Sequence, residues 1–459
     1  MSAALELARY ALGYTFADLP LDVVHQAKRL VLDTLGCAIG GSVSDASLAI
    51  QKMIQEFKGP REATVFGSGL KTSCLNATLA NGAMARFLDY NDVLYIIPGR
   101  RTGNHPSEII PPVLALAERQ HLSGKEAITA IVAGYDLSFV FLEAVTGPGM
   151  KGWEGDTRGA YIMPLIAGRL LGLTETQMEN AVGICASCHS VMGILDAPEE
   201  EYTMAKNIRF PTMSYGGILA ALLARKGFTG PARIIEGQDG FATLIMQGNY
   251  DPEKLKNPER RFAIREACIK SIVGDYSTHG YLAATLKLVN EHKIRPQDIA
   301  EVRIRTSKRC ADHTTDPIKK FPRNKETADH SSYYLTAVAI ADGRVGPEQF
   351  TPEKYQDPQI RELIEKISVQ ADPELDPIRP AGISEIITKR GEQYSCRVDF
   401  PQGHARNPMT DGEIIDKFKA LAGKYMGEGQ INRIVHMVFE LDKIESIGRL
   451  NRLMVFKKK

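Results

Sequence analysis

Apolar residues recur with helical spacing along the first half of the chain. The clearest stripe, between Pro20 and Gly40, consists of Val23, Val24, Ala27, Leu30, Val31 and Leu35. Such spacing is typical of a helix with one buried face. Further segments of this kind predict helices at about 45–57, 73–89, 109–121, 124–146, 158–171, 175–195 and 212–226. Alternating runs are almost absent here, so this half is predicted to be all-helical.

The pattern changes after residue 264. Residues 301–306 alternate charged and apolar side chains, which is the two-residue period of a strand. Two more strands are predicted at 383–388 and 394–400, joined by Lys389-Arg390-Gly391-Glu392 as the turn of a β-hairpin. The predicted helices around these strands are 278–292, 331–341 and 357–366. This part of the chain is therefore predicted to be a small α+β domain.

Helical spacing returns after residue 409, and this return predicts a discontinuous domain. We expect a mainly α fold, with a large all-helical domain built from both chain ends, 1–264 and 409–459, and a smaller α+β lid domain at 265–408. The polar stretch 237–261 is predicted to bridge the two bodies. A ligand site is expected in the cleft between them.

Composition excludes several classes of protein. Among 459 residues, Lys and Arg number 56 and Asp and Glu number 55, so the net charge of +1 argues against a nucleic-acid binder that works through bulk charge. No uncharged apolar run reaches about 18 residues, and the first residues do not resemble a signal peptide. We therefore expect a cytoplasmic protein without a membrane span. Its seven cysteines, an odd number, are expected to be reduced.

Two short motifs resemble cofactor sites. Cys185-Ala186-Ser187-Cys188-His189 matches a haem-attachment pattern, but its apolar flanks predict a buried helix. Gly67-Ser68-Gly69-Leu70-Lys71-Thr72 lacks phosphate-loop spacing and is predicted to be a turn. Because the sequence has no zinc-type cluster either, neither a metal nor an organic cofactor is expected.

One constellation favours carboxylate chemistry. Asp89 and Asp92 are three residues apart at a predicted helix end, so both carboxylates are expected on one side. A loop with Arg100 and Arg101 then leads to His105, just before a helix that begins near Ser107. Arginines and an imidazole at a helix N-terminus suit a carboxylate ligand. The alternative is a solvated loop with an N-terminal cap.

These segments also resemble a known family. Asn81-Gly82-Ala83, Asp89-Tyr90-Asn91-Asp92 and His105-Pro106-Ser107 are similar to the signature of the MmgE/PrpD family. The resemblance continues through residues 32–38, Gly152-Trp153, Met204-Ala205-Lys206, Lys270, Thr278-His279 and residues 327–331. It implies a helical domain from both chain ends, an α+β lid, a homodimer, and cofactor-free chemistry on a small di- or tricarboxylate. The family includes 2-methylcitrate dehydratase, cis-aconitate decarboxylase and iminodisuccinate epimerase.

The resemblance carries over residue by residue, with departures. Asp89, His105, Lys206 and Lys270 stand at positions that the decarboxylase branch uses in its site. Where relatives have a histidine after the Trp153 position, this chain has Glu154-Gly155-Asp156, without one. Asp275 stands where that branch has a histidine and Val93 where it has a threonine, and the branch's lid tyrosine has no clear match.

The reactions of this family move a proton or a leaving group next to a carboxylate while negative charge develops. We predict that His105 transfers the proton, that Asp89 orients it or shares that work, and that Asp275 has taken over an acid/base role. The cations predicted to bind the substrate and stabilise its charge are Arg100, Arg101, Lys206 and Lys270.

Alternatives remain open from sequence. Lys206 could pair with Glu199-Glu200-Glu201, Lys270 could be a snorkelling lysine at the core edge, and Asp275 could be a solvated turn residue. His279 and His330 are expected to make structural hydrogen bonds. For function, we expect a hydro-lyase like 2-methylcitrate dehydratase. The alternatives are an epimerase acting next to a carboxylate, a cis-aconitate decarboxylase-like enzyme and a non-catalytic binding protein.

Overall fold

A computed structural model describes residues 1–57, 59–94, 105–147, 152–153 and 155–456. Helices dominate the described part of the first half, as predicted. They are α1 Ala3–Leu12, α2 Leu21–Gly41, α3 Asp45–Phe57, α4 Cys74–Phe87, α5 Ile110–Arg119, α6 Gly124–Glu143, α7 Gly159–Leu171, α8 Glu175–His189 and α9 Arg209–Arg225. Three two-residue strands accompany them, β1 Ala63–Thr64, β2 Lys71–Thr72 and β3 Val93–Leu94, and the last pairs with β4 Ala267–Cys268.

The α8 helix is shorter than its predicted span of 175–195. It ends at His189, and Ser190 adopts an extended backbone. The reason is a tertiary contact, because the Val191 N–H donates to Thr157 Oγ1 at 2.7 Å. The chain then makes a short 3₁₀ turn at Gly193–Asp196, which carries an acidic side chain into the candidate site described below.

The second body contains a four-stranded sheet of order β6-β5-β7-β8. Its strands are β5 Ile299–Thr306, β6 Ile367–Ala371, β7 Gly382–Thr388 and β8 Gln393–Val398. The predicted hairpin is confirmed, with Gly391 at a φ of +84° in its turn. The β6 strand, which pairs parallel with β5, was not predicted. Helices of this body are α10 His279–His292, α11 Lys308–Thr314, α12 Pro317–Lys320, α13 Lys325–Ala328, α14 Ser332–Asp342, α15 Pro352–Gln356 and α16 Pro358–Glu365.

Both ends of the chain contribute to one hydrophobic core. This core contains residues from Ala3 to Ile269 and again from Met409 to Met454. Most of the core residues after Met409 belong to the last helices, which are α17 Asp411–Ala422, α18 Glu428–Phe439 and α19 Gly448–Leu453. A separate core runs from Ile272 to Ile386 and lies between the sheet and its helices. The mainly α fold class is confirmed, while domain boundaries at 264 and 408 remain predictions.

The stretch 237–261 does not bridge the two bodies, contrary to the sequence prediction. Most of its apolar side chains are buried in the helical core, where Phe241 lies 4.8 Å from Phe141 and 5.0 Å from Tyr250 between ring centroids. We attribute the position of this segment to its few aromatic residues, because the free energy gained by burying them is large although most residues around them are polar.

The two motifs that resemble cofactor sites are ordinary structure. The Cys185 motif lies on α8, where Cys185 is buried in the helical core. The Gly67 motif forms the turn between β1 and β2, with φ values of +74° at Gly67 and +68° at Gly69. All seven cysteines are unpaired. None of the helices in the described residues is long and apolar enough to cross a membrane.

Candidate active site

Asp89 and Asp92 do not face one side, contrary to the sequence prediction. The α4 helix ends at Phe87, and Asp89 then adopts a left-handed backbone with a φ of 49°. Asp92 accepts hydrogen bonds from the Ser107 N–H at 3.1 Å and from the Tyr135 hydroxyl at 2.7 Å. Burial raises the pKa of Asp92 to about 6. Asp92 therefore anchors the chain beside the site, while Asp89 enters it.

Three cations surround the buried carboxylate of Asp89. Arg86 Nη1 lies 3.1 Å from Oδ1, Lys270 Nζ lies 2.5 Å from Oδ1, and Lys206 Nζ lies 3.0 Å from Oδ2. Burial by itself would raise the pKa of Asp89, but the charges of Arg86, Lys206 and Lys270 hold it well below its ordinary value. Asp89 is therefore an anion that organises the surrounding cations.

Lys206 links the two bodies through a second carboxylate. Its Nζ also donates to Asp329 Oδ1 at 3.0 Å, and Lys325 Nζ lies 2.6 Å from Asp329 Oδ2. The alternative that Lys206 pairs with the glutamates at 199–201 is wrong, because Lys206 is buried and bound to Asp89 and Asp329. Sequence proximity did not reveal these partners, which lie more than a hundred residues away.

Lys270 is fully buried rather than snorkelling. Its Nζ meets three acceptors, which are the carboxylate and the backbone oxygen of Asp89 and the backbone oxygen of Gly274 at 2.9 Å. Burial lowers the pKa of Lys270, although Asp89 opposes that shift. Direct substrate binding by Lys206 and Lys270 stays a prediction, since both ammonium groups are engaged by protein oxygens.

His105 lies beside this cluster as a neutral imidazole. Its Nδ1 is 2.6 Å from the Asp92 backbone oxygen, which places the hydrogen on Nδ1 and leaves a lone pair on Nε2. Burial, followed by the charges of Arg86 and Lys270, holds the pKa of His105 well below its ordinary value. The neighbouring Glu108 connects this turn to α4, because its Oε1 lies 2.9 Å from Arg86 Nε. The geometry is that of a base.

A second group of titratable side chains approaches from the lid. Asp275 Oδ2 lies 3.4 Å from His313 Nε2 and 3.8 Å from His330 Nε2. His330 Nε2 is 3.7 Å from Asp89 Oδ2, and its Nδ1 is 2.5 Å from Asp329 Oδ1. Burial would raise the pKa of Asp275, but hydrogen bonding and charge from His313, together with His330, hold it well below its ordinary value.

Asp275 combines both roles that its sequence suggested. Its Oδ1 accepts from the Ser277 N–H at 2.7 Å, so the residue does cap a turn. Its other oxygen faces the two imidazoles, so it is not a solvated turn residue alone. His330 was expected to be structural, and it lies within the cluster. His279 is fully buried against Tyr276, and burial lowers its pKa to about 3.

Several members of the cluster were not predicted as site residues. They are Arg86, Glu108, Asp196, His313, Asp329 and His330. Arg86 carried a usable signal, because it precedes Asp89 by three residues on an otherwise apolar helix. Asp329 and His330 belong to one of the segments that resemble the family. His313 carried no signal, since Ala311-Asp312-His313-Thr314 has the composition of an exposed helix.

The remaining predicted positions have different outcomes. Arg100 and Arg101 lie outside the described residues, so their role as substrate ligands stays a prediction. Val93 is buried in the short strand that pairs with Cys268. Gly155 begins a 3₁₀ turn whose next residue, Asp156, lies 2.8 Å from Arg209. A carboxylate–guanidinium pair therefore follows the position where the family resemblance implies a histidine.

Two groups in the described part of the chain could hold a metal ion. They are Asp89, Asp329 and His330, and Asp196, His313 and His330. Lys206 lies 3.0 Å from both carboxylates of the first group, and its charge repels a cation there. Beside the second group, Arg209 Nη1 lies 4.0 Å from Asp196. Asp89, Asp92 and His105, which are near one another in sequence, do not form such a group, because Asp92 binds Ser107 and Tyr135.

Comparison with known proteins identifies relatives along the whole chain. A family model for the MmgE/PrpD N-terminal domain matches residues 5–253, and one for the MmgE/PrpD C-terminal domain matches residues 275–441. The chain is 26% identical to a cis-aconitate decarboxylase of Aspergillus terreus, over 98% of this chain and 95% of the relative. It is 24% identical to the cis-aconitate decarboxylase of Mus musculus, over 94% and 89%. It is 23% identical to the 2-methylcitrate dehydratase of Escherichia coli strain K12, over 96% and 94%.

Proposed function

Because the chain belongs to the MmgE/PrpD family, we propose that it is a cofactor-free lyase acting on a small di- or tricarboxylate. Its relatives include dehydratases and decarboxylases, both of which are lyases. The reaction that we favour is the elimination of water from a hydroxy acid, as in a 2-methylcitrate dehydratase. His105 is the proposed base, and the buried cations are the proposed source of charge stabilisation.

The observation that carries the proposal is a neutral imidazole beside a buried array of cations. His105 keeps an unprotonated Nε2, because its Nδ1 hydrogen is bound to the Asp92 backbone oxygen and its pKa is lowered by burial. Removal of a proton next to a carboxylate develops negative charge on that carboxylate. Arg86, Lys206 and Lys270 are positioned by Asp89 before the reaction begins, so they stabilise that charge without reorganising.

Asp89 is proposed to position the cations, since three of them already bind its carboxylate. The pKa of Asp89 lies well below its ordinary value, so this group is a poor proton acceptor near neutral pH. We therefore propose that Asp89 does not transfer the proton and that it holds Lys206 and Lys270 in position. Asp329 plays the same part from the lid side of Lys206.

Decarboxylation is the second candidate, because cis-aconitate decarboxylases stand among the relatives. Decarboxylation also develops negative charge next to a carboxylate. It needs a group that protonates the carbon from which carbon dioxide has left, and it does not need an acid that protonates a departing hydroxyl. Val93 and Asp275 differ from the decarboxylase residues that the resemblance implies, and this favours dehydration. Epimerisation next to a carboxylate remains the third reaction that the same site could perform.

We expect the purified protein to convert citrate or 2-methylcitrate into an unsaturated acid, with a rise in ultraviolet absorbance. The measurement is run beside cis-aconitate, from which carbon dioxide is collected, and each acid is also followed by polarimetry. Release of carbon dioxide from cis-aconitate, with no unsaturated acid formed from citrate or 2-methylcitrate, would identify a decarboxylase. A change in the optical rotation of 2-methylcitrate, with neither of the other signals, would identify an epimerase. The absence of all three signals would contradict the proposal.

We expect activity to survive treatment with EDTA followed by removal of the chelator. The physical reason is electrostatic, because the ammonium of Lys206 lies beside Asp89, Asp329 and His330 and repels a bound cation. Elemental analysis of the active protein is the measurement, together with turnover before and after dialysis. A stoichiometric metal whose removal abolishes turnover would contradict the cofactor-free proposal and would point to Asp196, His313 and His330.

A further inference from the structure

We propose that His313 is the general acid that protonates the departing hydroxyl of the substrate. The inference rests on the proposed function and deepens it, because it assigns the leaving-group side of the site. It is carried by the position of His313 on the lid, by the two carboxylates that face its Nε2, and by the contrast with His105 on the helical body.

The fold holds the backbone of His313 firmly. The residue lies near the end of α11, whose N-terminus is capped by Ser307. Its backbone oxygen accepts a hydrogen bond from Lys319 Nζ, and the same ammonium lies 3.1 Å from the Tyr202 hydroxyl. Lys319 is fully buried, so this anchor is shielded from solvent. The imidazole is therefore presented by a rigid element rather than by a loop.

Two carboxylates face Nε2 of His313. Asp275 Oδ2 lies at 3.4 Å and Asp196 Oδ1 at 3.8 Å. If Nε2 carries a hydrogen, that hydrogen is attracted to both carboxylates. If Nε2 carried a lone pair, the lone pair would be repelled by the two negative oxygens. The hydrogen bond to Asp275 is long, at 3.4 Å, and Asp196 lies still farther away, so this N–H can be given up to a closer acceptor. His313 thus carries its proton on the nitrogen that faces the cluster.

Charged and titratable groups from several elements surround the imidazole. Asp196 comes from the turn after α8, Asp275 from the turn before α10, and the His330 ring packs edge-on at 5.6 Å. Lys319 binds the His313 backbone, Tyr202 contacts both Lys319 and Asp196, and Arg209 is 4.0 Å from Asp196. Acidic groups are therefore nearest to Nε2, and the basic ones lie behind them.

His105 and His313 have opposite arrangements. At His105 the hydrogen sits on Nδ1, bound to a backbone oxygen, and the free Nε2 accepts a proton. At His313 the carboxylates place the hydrogen on Nε2, which donates it. Two titratable groups whose surroundings favour opposite protonation states are the pattern of an acid and a base in one site.

Exposure distinguishes His313 from the third imidazole of the cluster. The His313 side chain is 22% exposed, whereas that of His330 is 7% exposed and its Nδ1 is held by Asp329 at 2.5 Å. The side chains of Asp275, at 15%, and Asp196, at 25%, are also more exposed than that of His330. A hydroxyl that enters from solvent is therefore expected to meet His313 before it meets His330.

The step that follows balances in atoms and charge. His105 Nε2 forms a bond to the proton on the carbon next to a substrate carboxylate, and the electrons of that C–H bond become the new C=C bond. The C–O bond breaks with its electron pair on oxygen. That oxygen takes the Nε2 proton of His313, which enters the step as the imidazolium, and leaves as water. His105 ends protonated and His313 neutral, and proton exchange with solvent restores both.

The test compares two leaving groups in the full-length protein. Citrate and 2-methylcitrate lose hydroxide, which needs an acid, whereas deoxyfluorocitrate loses fluoride, which leaves without protonation. We expect His313→Gln to lower water elimination by about 10²–10⁴ while it changes fluoride release by less than about tenfold. Fluoride is measured with an electrode and the unsaturated acid by its absorbance.

Two further variants keep the test decisive. His292→Gln alters another lid histidine, which is exposed and stacked on Tyr394 at 4.2 Å, and should leave both eliminations unchanged. His313→Ala with added imidazole should recover part of the lost water elimination if the Gln variant is poorly folded. Equal loss of both eliminations, or none, in a folded His313→Gln protein would overturn the inference alone. Failure of the wild-type protein on every acid would overturn the proposed function instead.

Discussion

His105→Asn is expected to lower turnover by about 10²–10⁴ without unfolding the protein. Asparagine can still donate to the Asp92 backbone oxygen that holds His105 Nδ1 in the native protein, so the local structure should be kept. It has no basic nitrogen to take the proton from carbon. Unlike His313→Gln, this variant should lose water and fluoride elimination equally, because proton removal precedes the loss of either leaving group.

The pH dependence of the wild-type enzyme should report the same group. Burial and the charges of Arg86 and Lys270 hold the pKa of His105 well below its ordinary value. The base is therefore unprotonated at pH values where a free imidazole, of pKa about 6.5, is already charged. We expect kcat/KM to stay level as the pH falls through that range and to decline only as the pH passes through the lowered pKa.

A matched control is available on the same body. His121 is exposed and has a φ of 57°, a conformation that asparagine tolerates, so His121→Asn should be stable and fully active. Wild-type turnover in a folded His105→Asn protein would show that another group removes the proton. An acid limb at the pH of an ordinary imidazole would show that His105 is not buried as described.

Lys206→Met is expected to lower the free energy of unfolding by about 3–5 kcal/mol. Methionine has a similar length but no charge, so Asp89 and Asp329 lose the ammonium that each meets at 3.0 Å. Both carboxylates are buried, so the loss of two ion pairs is costly even though Asp89 keeps Arg86 and Lys270 and Asp329 keeps Lys325. Turnover should also fall, because one cation that stabilises developing charge is removed.

A double-mutant cycle separates the ion pair from simple packing. Once Lys206 is methionine, Asp329→Asn should cost less stability than it does in the wild type, because it removes a carboxylate that has already lost one of its two cations. The urea midpoint of each variant measures this. Lys226→Met, at the exposed end of α9, is the control and should leave the midpoint unchanged. Additive effects of the two site substitutions would contradict the proposed coupling.

Short-range pattern was sufficient for most elements of the fold. The stripe from Val23 to Leu35 lies on α2, and the Gly391 turn joins β7 to β8 as predicted. The strand Ile367–Ala371 was missed because it follows α16 almost directly and its side chains are only partly buried, without a clear alternation. The ends of α8 and the position of residues 237–261 depend on contacts with distant residues, which spacing along the chain does not report.

The helical body, the hairpin of the second body and the family can be predicted from the sequence, because they depend on neighbouring residues and on several short motifs that follow one another along the chain. The same reasoning identifies Asp89, His105, Lys206, Lys270 and Asp275 as candidates. The partners of these residues, in contrast, are known only from the folded structure. Asp89 has a left-handed backbone and points away from Asp92. Lys206 binds Asp89 and not the glutamates that are close to it in sequence. His313, on a helix that the sequence did not indicate as functional, faces Asp275. The physical reason is desolvation. A buried charge is stable only beside an opposite charge or a hydrogen-bonding group, and the fold supplies that partner from a residue that can be distant in sequence.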